Sequence, residues 1–166
     1  MAANRQRIEP RPGQESVWDY PRPPRLEPST KHVQVVFGGE TIADSHRAMR
    51  VLETSHPPVY YIPRDDVRMD YLTPTDRRSF CEWKGSAAYF SVAVGHRTAE
   101  HAAWTYPHPT ADFVPIADCV AFYPARVDDC FVDGERVEAQ PGDFYGGWIT
   151  REIVGPFKGD AGTAGW

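Results

Sequence analysis

Lysine is nearly absent from this chain: among 18 cationic residues only Lys31, Lys84 and Lys158 are not arginine. Cysteine is scarce too. Cys81, Cys119 and Cys130 form an odd, widely spaced set that gives neither a disulfide framework nor a C-x-x-C metal knuckle. No H-E-x-x-H helix puts two imidazoles on one face, so His96, His101 and His108 can converge only through folding. No metal site and no cofactor are expected from these residues. Long apolar runs are missing as well: nothing approaches the roughly 18 residues of a membrane span, and "MAANRQRIEP" lacks the apolar stretch of a secretory signal. The expectation is a soluble, cytoplasmic protein with no membrane partner. A net charge of −5 lacks the cationic excess with which nucleic-acid binders displace counterions from phosphate, which argues against nucleic acid as a partner.

What is present suffices for one domain: 166 residues at 41% hydrophobic content bury a core and leave chain for tails. Residues 1–31 read as an extended, proline-rich arm, because repeated proline removes backbone donors and favours polyproline conformation. Its cations (Arg5, Arg7, Arg11, Arg22, Arg25, Lys31) slightly outnumber its anions (Glu9, Glu15, Asp19, Glu27), but Trp18 and Tyr20 are apolar anchors suited to pinning the arm across the domain. Residues 32–166 read as a single β domain with a glycine-rich tail.

Strand periodicity begins at His32. "HVQVVFGGETIAD" predicts a hairpin around Gly38-Gly39, the alternation of Met49 and Val51 favours a strand, and "PPVYYIP" is a strand bounded by prolines. "RDDVRMDYLTPTDRRS" reads as a charged connection with a turn at Thr73-Pro74. "FCEWKG" and "SAAYFSVAV" read as two strand segments meeting at Gly85, the second with Ala88, Phe90, Val92 and Val94 on the core face and Tyr89 and Ser91 opposite. One helical turn is expected over Ala99 to Ala103, and a hairpin turn at Asp133-Gly134. With no long amphipathic segment, the fold class is all-β and mostly antiparallel.

The succession "IADSHRAMRVLET", "PPVYYIPRDDV", "CEWKGSAAYFSV", "AAWTYPHP" and "VAFYP", closing on "GGWITREIVGPFKG", resembles the bacterial and fungal DUF427 proteins. The resemblance implies a β-tent or Mss4-like fold, two antiparallel sheets pinned at one end around a cleft. Relatives of that fold bind small ligands or reduce methionine sulfoxide there, commonly with zinc held by paired C-x-x-C motifs that this chain lacks. A nucleotidyltransferase label sometimes attached to the family finds no glycine-serine helix start followed by Asp-x-Asp in this sequence.

The candidate site centres on Lys84. A desolvated lysine serves as nucleophile, base or anion-binding group, roles for which guanidinium is poorly suited. On a regular strand Cys81 and Trp83 would share one face and Glu82 and Lys84 the other, unless a bulge at Gly85 turns Lys84 inward. Cys81 resembles a small buried hydrophobe and needs an adjacent cation for thiol chemistry. Tyr61, Trp83, Tyr89, Trp104, Tyr106 and Tyr123 are candidate ligand walls, with Arg47 an anion contact and Glu53 or Asp66 an acceptor. Arg47 and Glu53, six apart, would face the same side of one extended strand. Three functions fit: a small-molecule-binding domain; an enzyme using Lys84 with Glu53 or Asp66 as an acid–base pair; and an interaction module recruiting a protein through the arm or a sheet edge. Composition is compatible with a homo-oligomer.

Overall fold

The computed structural model describes residues 7–166; residues 1–6, including Arg5 of the arm, lie outside the described residues. The chain is all-β, interrupted by short 3-10 turns. No helix among the described residues is long and apolar enough to cross a membrane.

The arm contributes β1 (Glu15–Ser16) and β2 (Arg25–Pro28). Between them lies a 3-10 turn, Val17–Asp19, in which the Ser16 hydroxyl accepts the Trp18 N–H. Val17 is fully buried and Tyr20 nearly so, while the half-buried Trp18 donates its indole N–H to the Pro156 carbonyl at 2.9 Å. The proline-rich segment therefore makes specific pairs. The expected hairpin follows as β3 (Val33–Phe37) and β4 (Glu40–Ser45), with Gly38 and Gly39 both at positive φ. Next come β5 (Met49–Leu52), which pairs with β2, and β6 (Val59–Tyr61), giving a three-stranded sheet β2-β5-β6.

The centre of the chain forms one meander: β7 (Leu72–Cys81), β8 (Gly85–Val94), β9 (Arg97–Thr105) and β10 (Ala121–Phe122), ordered β10-β9-β8-β7. Three sequence expectations change here. Thr73-Pro74 is not a turn but part of β7, an edge strand where proline's missing donor interrupts no inner ladder. The register shifts between Pro74 and Arg78, and most side chains of β7 are exposed, so its sequence looks like a loop. "CEWKG" is not strand throughout, because Glu82-Trp83-Lys84 is the turn of the β7–β8 hairpin. No helical turn forms at Ala99 to Ala103. Those residues belong to β9, where His101 takes a φ of +52° and its N–H donates to the Ser91 hydroxyl at a register shift.

The C-terminal part adds β11 (Asp129–Val132), β12 (Glu135–Arg136), β13 (Glu138–Ala139), β14 (Trp148–Ile149) and β15 (Ile153–Val154). β11 and β12 turn at Asp133-Gly134 as expected and join β3 and β4 in the sheet β12-β11-β3-β4. β15 pairs in parallel with β1.

The main core fills the space between the two four-stranded sheets: Val33, Val35 and Cys130 from one, Phe90, Val92 and Phe122 from the other. Ala88 and Val94, assigned to that face by periodicity, are only half-buried. Tyr89, expected opposite, is buried in a second cluster with Ala87, Trp104, Tyr61 and Val51. The β7–β10 sheet is thus covered on both faces. Buried side chains from both four-stranded sheets meet in the first cluster, and a cavity borders the second cluster at Tyr61, Tyr89, Trp104, Tyr106 and Tyr123.

A charged clamp fastens the arm. Arg50 of β5, 8% exposed, binds Glu15 at 3.1 and 3.2 Å and Glu27 at 3.0 Å, and the Tyr20 hydroxyl donates to Glu15 at 2.6 Å. Partial burial raises the Glu15 carboxyl, but hydrogen bonds from Arg50 and Tyr20 outweigh it and leave the group below its ordinary 4.5. The unfolded chain therefore takes up this proton at higher pH than the folded one. Stability from Glu15 is complete above pH 4.5 and declines as pH falls through the lower folded value. In urea unfolding between about pH 3 and 6, Glu15→Gln should flatten the acid limb of the stability curve. An acid limb identical to that of the native chain would show that the clamp contributes nothing.

Candidate functional site

The β7–β8 turn is closed by Gly85, whose φ of +106° lies where side-chain-bearing residues are strained. Two bonds hold the turn from behind: the Thr110 N–H donates to the Lys84 carbonyl at 3.0 Å and its hydroxyl to the Trp83 carbonyl at 2.6 Å. Strand alternation stops at Cys81, so the two-face dilemma of the sequence disappears. Cys81, Glu82, Trp83 and Lys84 all line one cavity of about 390 Å³.

Lys84 is 9% exposed. Its Nζ lies 3.3 Å from Cys81 Sγ, 5.8 Å from the Tyr106 ring centre and 6.0 Å from that of Phe113. Among the described residues it forms no ion pair with a carboxylate. Cys81, half-buried, thus has the neighbouring cation that thiol chemistry requires. Cys119 and Cys130 are buried, and burial pushes both thiols up, leaving them neutral packing groups.

The β7–β10 sheet and β6 supply the walls. Tyr61 of β6, 1% exposed, accepts the Trp104 indole N–H at 3.3 Å, and its ring tilts against Tyr106 with centres 6.1 Å apart. Burial raises the hydroxyls of Tyr61, Tyr106 and Tyr123, so all three are neutral at physiological pH. Tyr89 shares a hydrogen bond with Ser79 at 2.9 Å and lies under the Arg77 guanidinium. Trp83 completes the set, and every aromatic side chain named from sequence borders the cavity.

Glu53 is present as well, but Arg22 from the arm binds it at 3.2 Å and donates to the Thr54 carbonyl. Arg47 and Asp66 are not at the cavity. They pair with each other at 2.9 Å, Asp66 also accepts the Ser45 hydroxyl, and Arg47 together with that hydroxyl holds the carboxyl below its ordinary range. The same-strand argument for Arg47 and Glu53 fails because β5 covers only Met49–Leu52, leaving both residues outside it.

Sequence reasoning missed the tail. Gln140, Phe144, Tyr145, Lys158 and Trp166 border the cavity, as does His56. Burial pushes the His56 imidazole down against the opposing pull of Glu53, and its Nδ1 lies 2.9 Å from the Thr54 carbonyl. Lys158 Nζ donates to the Trp166 backbone oxygen at 3.2 Å and lies 5.4 Å from the Tyr145 ring centre. One signal was legible: Lys158 is among the chain's three lysines. Another was "FYGGW". A Cβ on Gly146 would stand 2.4 Å from the Trp104 ring, so glycine lets the tail lie directly on that wall. Among the described residues no group of three or more His, Cys, Asp or Glu gathers in metal-binding geometry.

Residues 25–133 match the family described as Domain of unknown function (DUF427). The chain belongs to the DUF427 family. No curated protein matches the sequence. The matched DUF427 span contains the Lys84 turn and all the aromatic walls anticipated from sequence, whereas Arg22 precedes it and the tail residues follow it.

The close contact of the tail with Trp104 predicts that Gly146→Ala destabilises the protein by about 1–3 kcal/mol, since the added methyl must displace either the indole or the tail. A native urea midpoint in this variant would mean that the tail does not rest on the indole.

Proposed function

We propose that this DUF427 protein binds a small organic ligand in the cavity between the β7–β10 sheet, β6 and the tail. Lys84 supports this most directly. Burying an ammonium away from water is unfavourable by several kcal/mol unless an opposite charge compensates it, and a thiol with two aromatic rings does so only weakly. Side chains that sacrifice folding stability in this way belong to sites where a ligand completes the pairing. The volume falls within the range of small-molecule sites, and aromatic walls with a few convergent polar groups are their usual lining. A Lys84–Glu53 acid–base pair is less well supported, because Arg22 already occupies Glu53; Asp66, bound to Arg47, supplies no substitute.

Two measurements test this. Lys84→Met should fold and melt at or above the native temperature, because it removes an uncompensated buried charge while keeping the stem volume. In a thermal-shift screen over nucleotides, nucleosides, organic acids and amino-acid derivatives, the compound that stabilises the native chain should lose its effect on Lys84→Met. At a hundredfold excess over Kd such a compound adds about 2.7 kcal/mol. A strongly destabilised Lys84→Met, or an undiminished shift in it, would make Lys84 a structural residue and remove the basis for the site.

A further inference from the structure

We infer that the ligand is an anion carried on a planar apolar body, a ring system bearing a carboxylate or phosphate group, with its charge met by Lys84 and Lys158. This deepens the binding function proposed above and rests on it.

The charge inventory of the cavity points to an anion. Of the carboxylates along it, Glu53 is bound by Arg22, and Glu82 is exposed at the turn. Neither Lys84 nor Lys158 has a side-chain carboxylate partner among the described residues: Lys84 contacts a thiol and aromatic rings, and Lys158 contacts the Tyr145 ring and an oxygen of Trp166, a partner that the incoming anion displaces. Lys31, outside this cavity, is by contrast paired with Glu152. In a chain of net charge −5 with arginine at nearly every cationic position, two of its three lysines border one cavity. An ammonium has three rotatable donors and no planar fork, so it adapts to carboxylate or phosphate oxygens without demanding bidentate geometry.

The neighbouring rings describe the rest of the ligand. Tyr61, Trp104 and Tyr106 are packed edge-to-face or tilted rather than stacked, with Tyr61 and Trp104 at 88°. The Tyr61 and Tyr106 hydroxyls are un-ionised and so do not repel an anion. A flat, weakly hydrated body fits beside such rings. Because Lys158 follows the matched DUF427 span, the tail provides half of the charge recognition.

The experiment is calorimetric titration of the full chain with 2-naphthoate, 2-naphthyl phosphate and the neutral 2-naphthamide. At least one anion should bind, the amide should bind at least about tenfold more weakly, and the two anions together report which head group is preferred. Lys84→Met and Lys158→Met should each weaken the anion by about tenfold or more and leave the amide unchanged. Amide affinity equal to that of both anions would overturn the inference while leaving a ligand site. Full anion affinity in Lys158→Met would equally overturn the two-lysine assignment. If no probe binds, the inference falls, and the melting temperature of Lys84→Met then decides separately whether the site itself stands.

Discussion

The whole arrangement depends on a single sheet, β7–β10, being covered on both faces. On a half-exposed sheet, alternate residues divide into core and solvent; here they divide into core and cavity. Phe90 and Val92 lie against the second four-stranded sheet, while Ala87 and Tyr89, one position out of phase, belong to the cluster behind the cavity. A register slip in β8 would exchange the two sets at once, placing a tyrosine in the packed interior and a phenylalanine at the cavity. The shifts opposite Tyr89 and Ser91 keep the phase correct while the strands bend.

Chain on either side of the DUF427 span completes the molecule. Before it, Val17 is buried and Glu15 reaches Arg50; after it, the tail returns along the cavity and β15 pairs with β1. The leading and trailing segments thus meet. Arg22 from the leading segment and Lys158 from the trailing one both reach a cavity whose floor is built by the span between them.

Much of the sheet content was legible in the sequence, because it follows from local rules, period-two alternation and glycine pairs at hairpins, and the aromatic lining was legible from the tyrosines and tryptophans of the family motifs. The turn itself was misread, since alternation alone cannot tell a continuing strand from one that reverses at Glu82 and resumes at Gly85. β7 was hidden because, at the sheet edge and across its register shift, most of its side chains are exposed and break the apolar alternation. Arg47 and Asp66 were chemically suitable but found each other, a pairing set by the 3-10 turn at Arg64–Asp66 and not by spacing along a strand. His56 and the tail reach the cavity only through contacts distant in sequence, to which periodicity is blind.

Trp83, Trp104 and Trp166 all border the cavity, three of the five tryptophans in the chain. Of the remaining two, Trp148 is sealed in the core and Trp18 is held against Pro156. The near-ultraviolet emission of this protein is consequently weighted toward one small volume. Any molecule that enters it changes the polarity around most of the indoles together, which makes the cavity its own optical reporter.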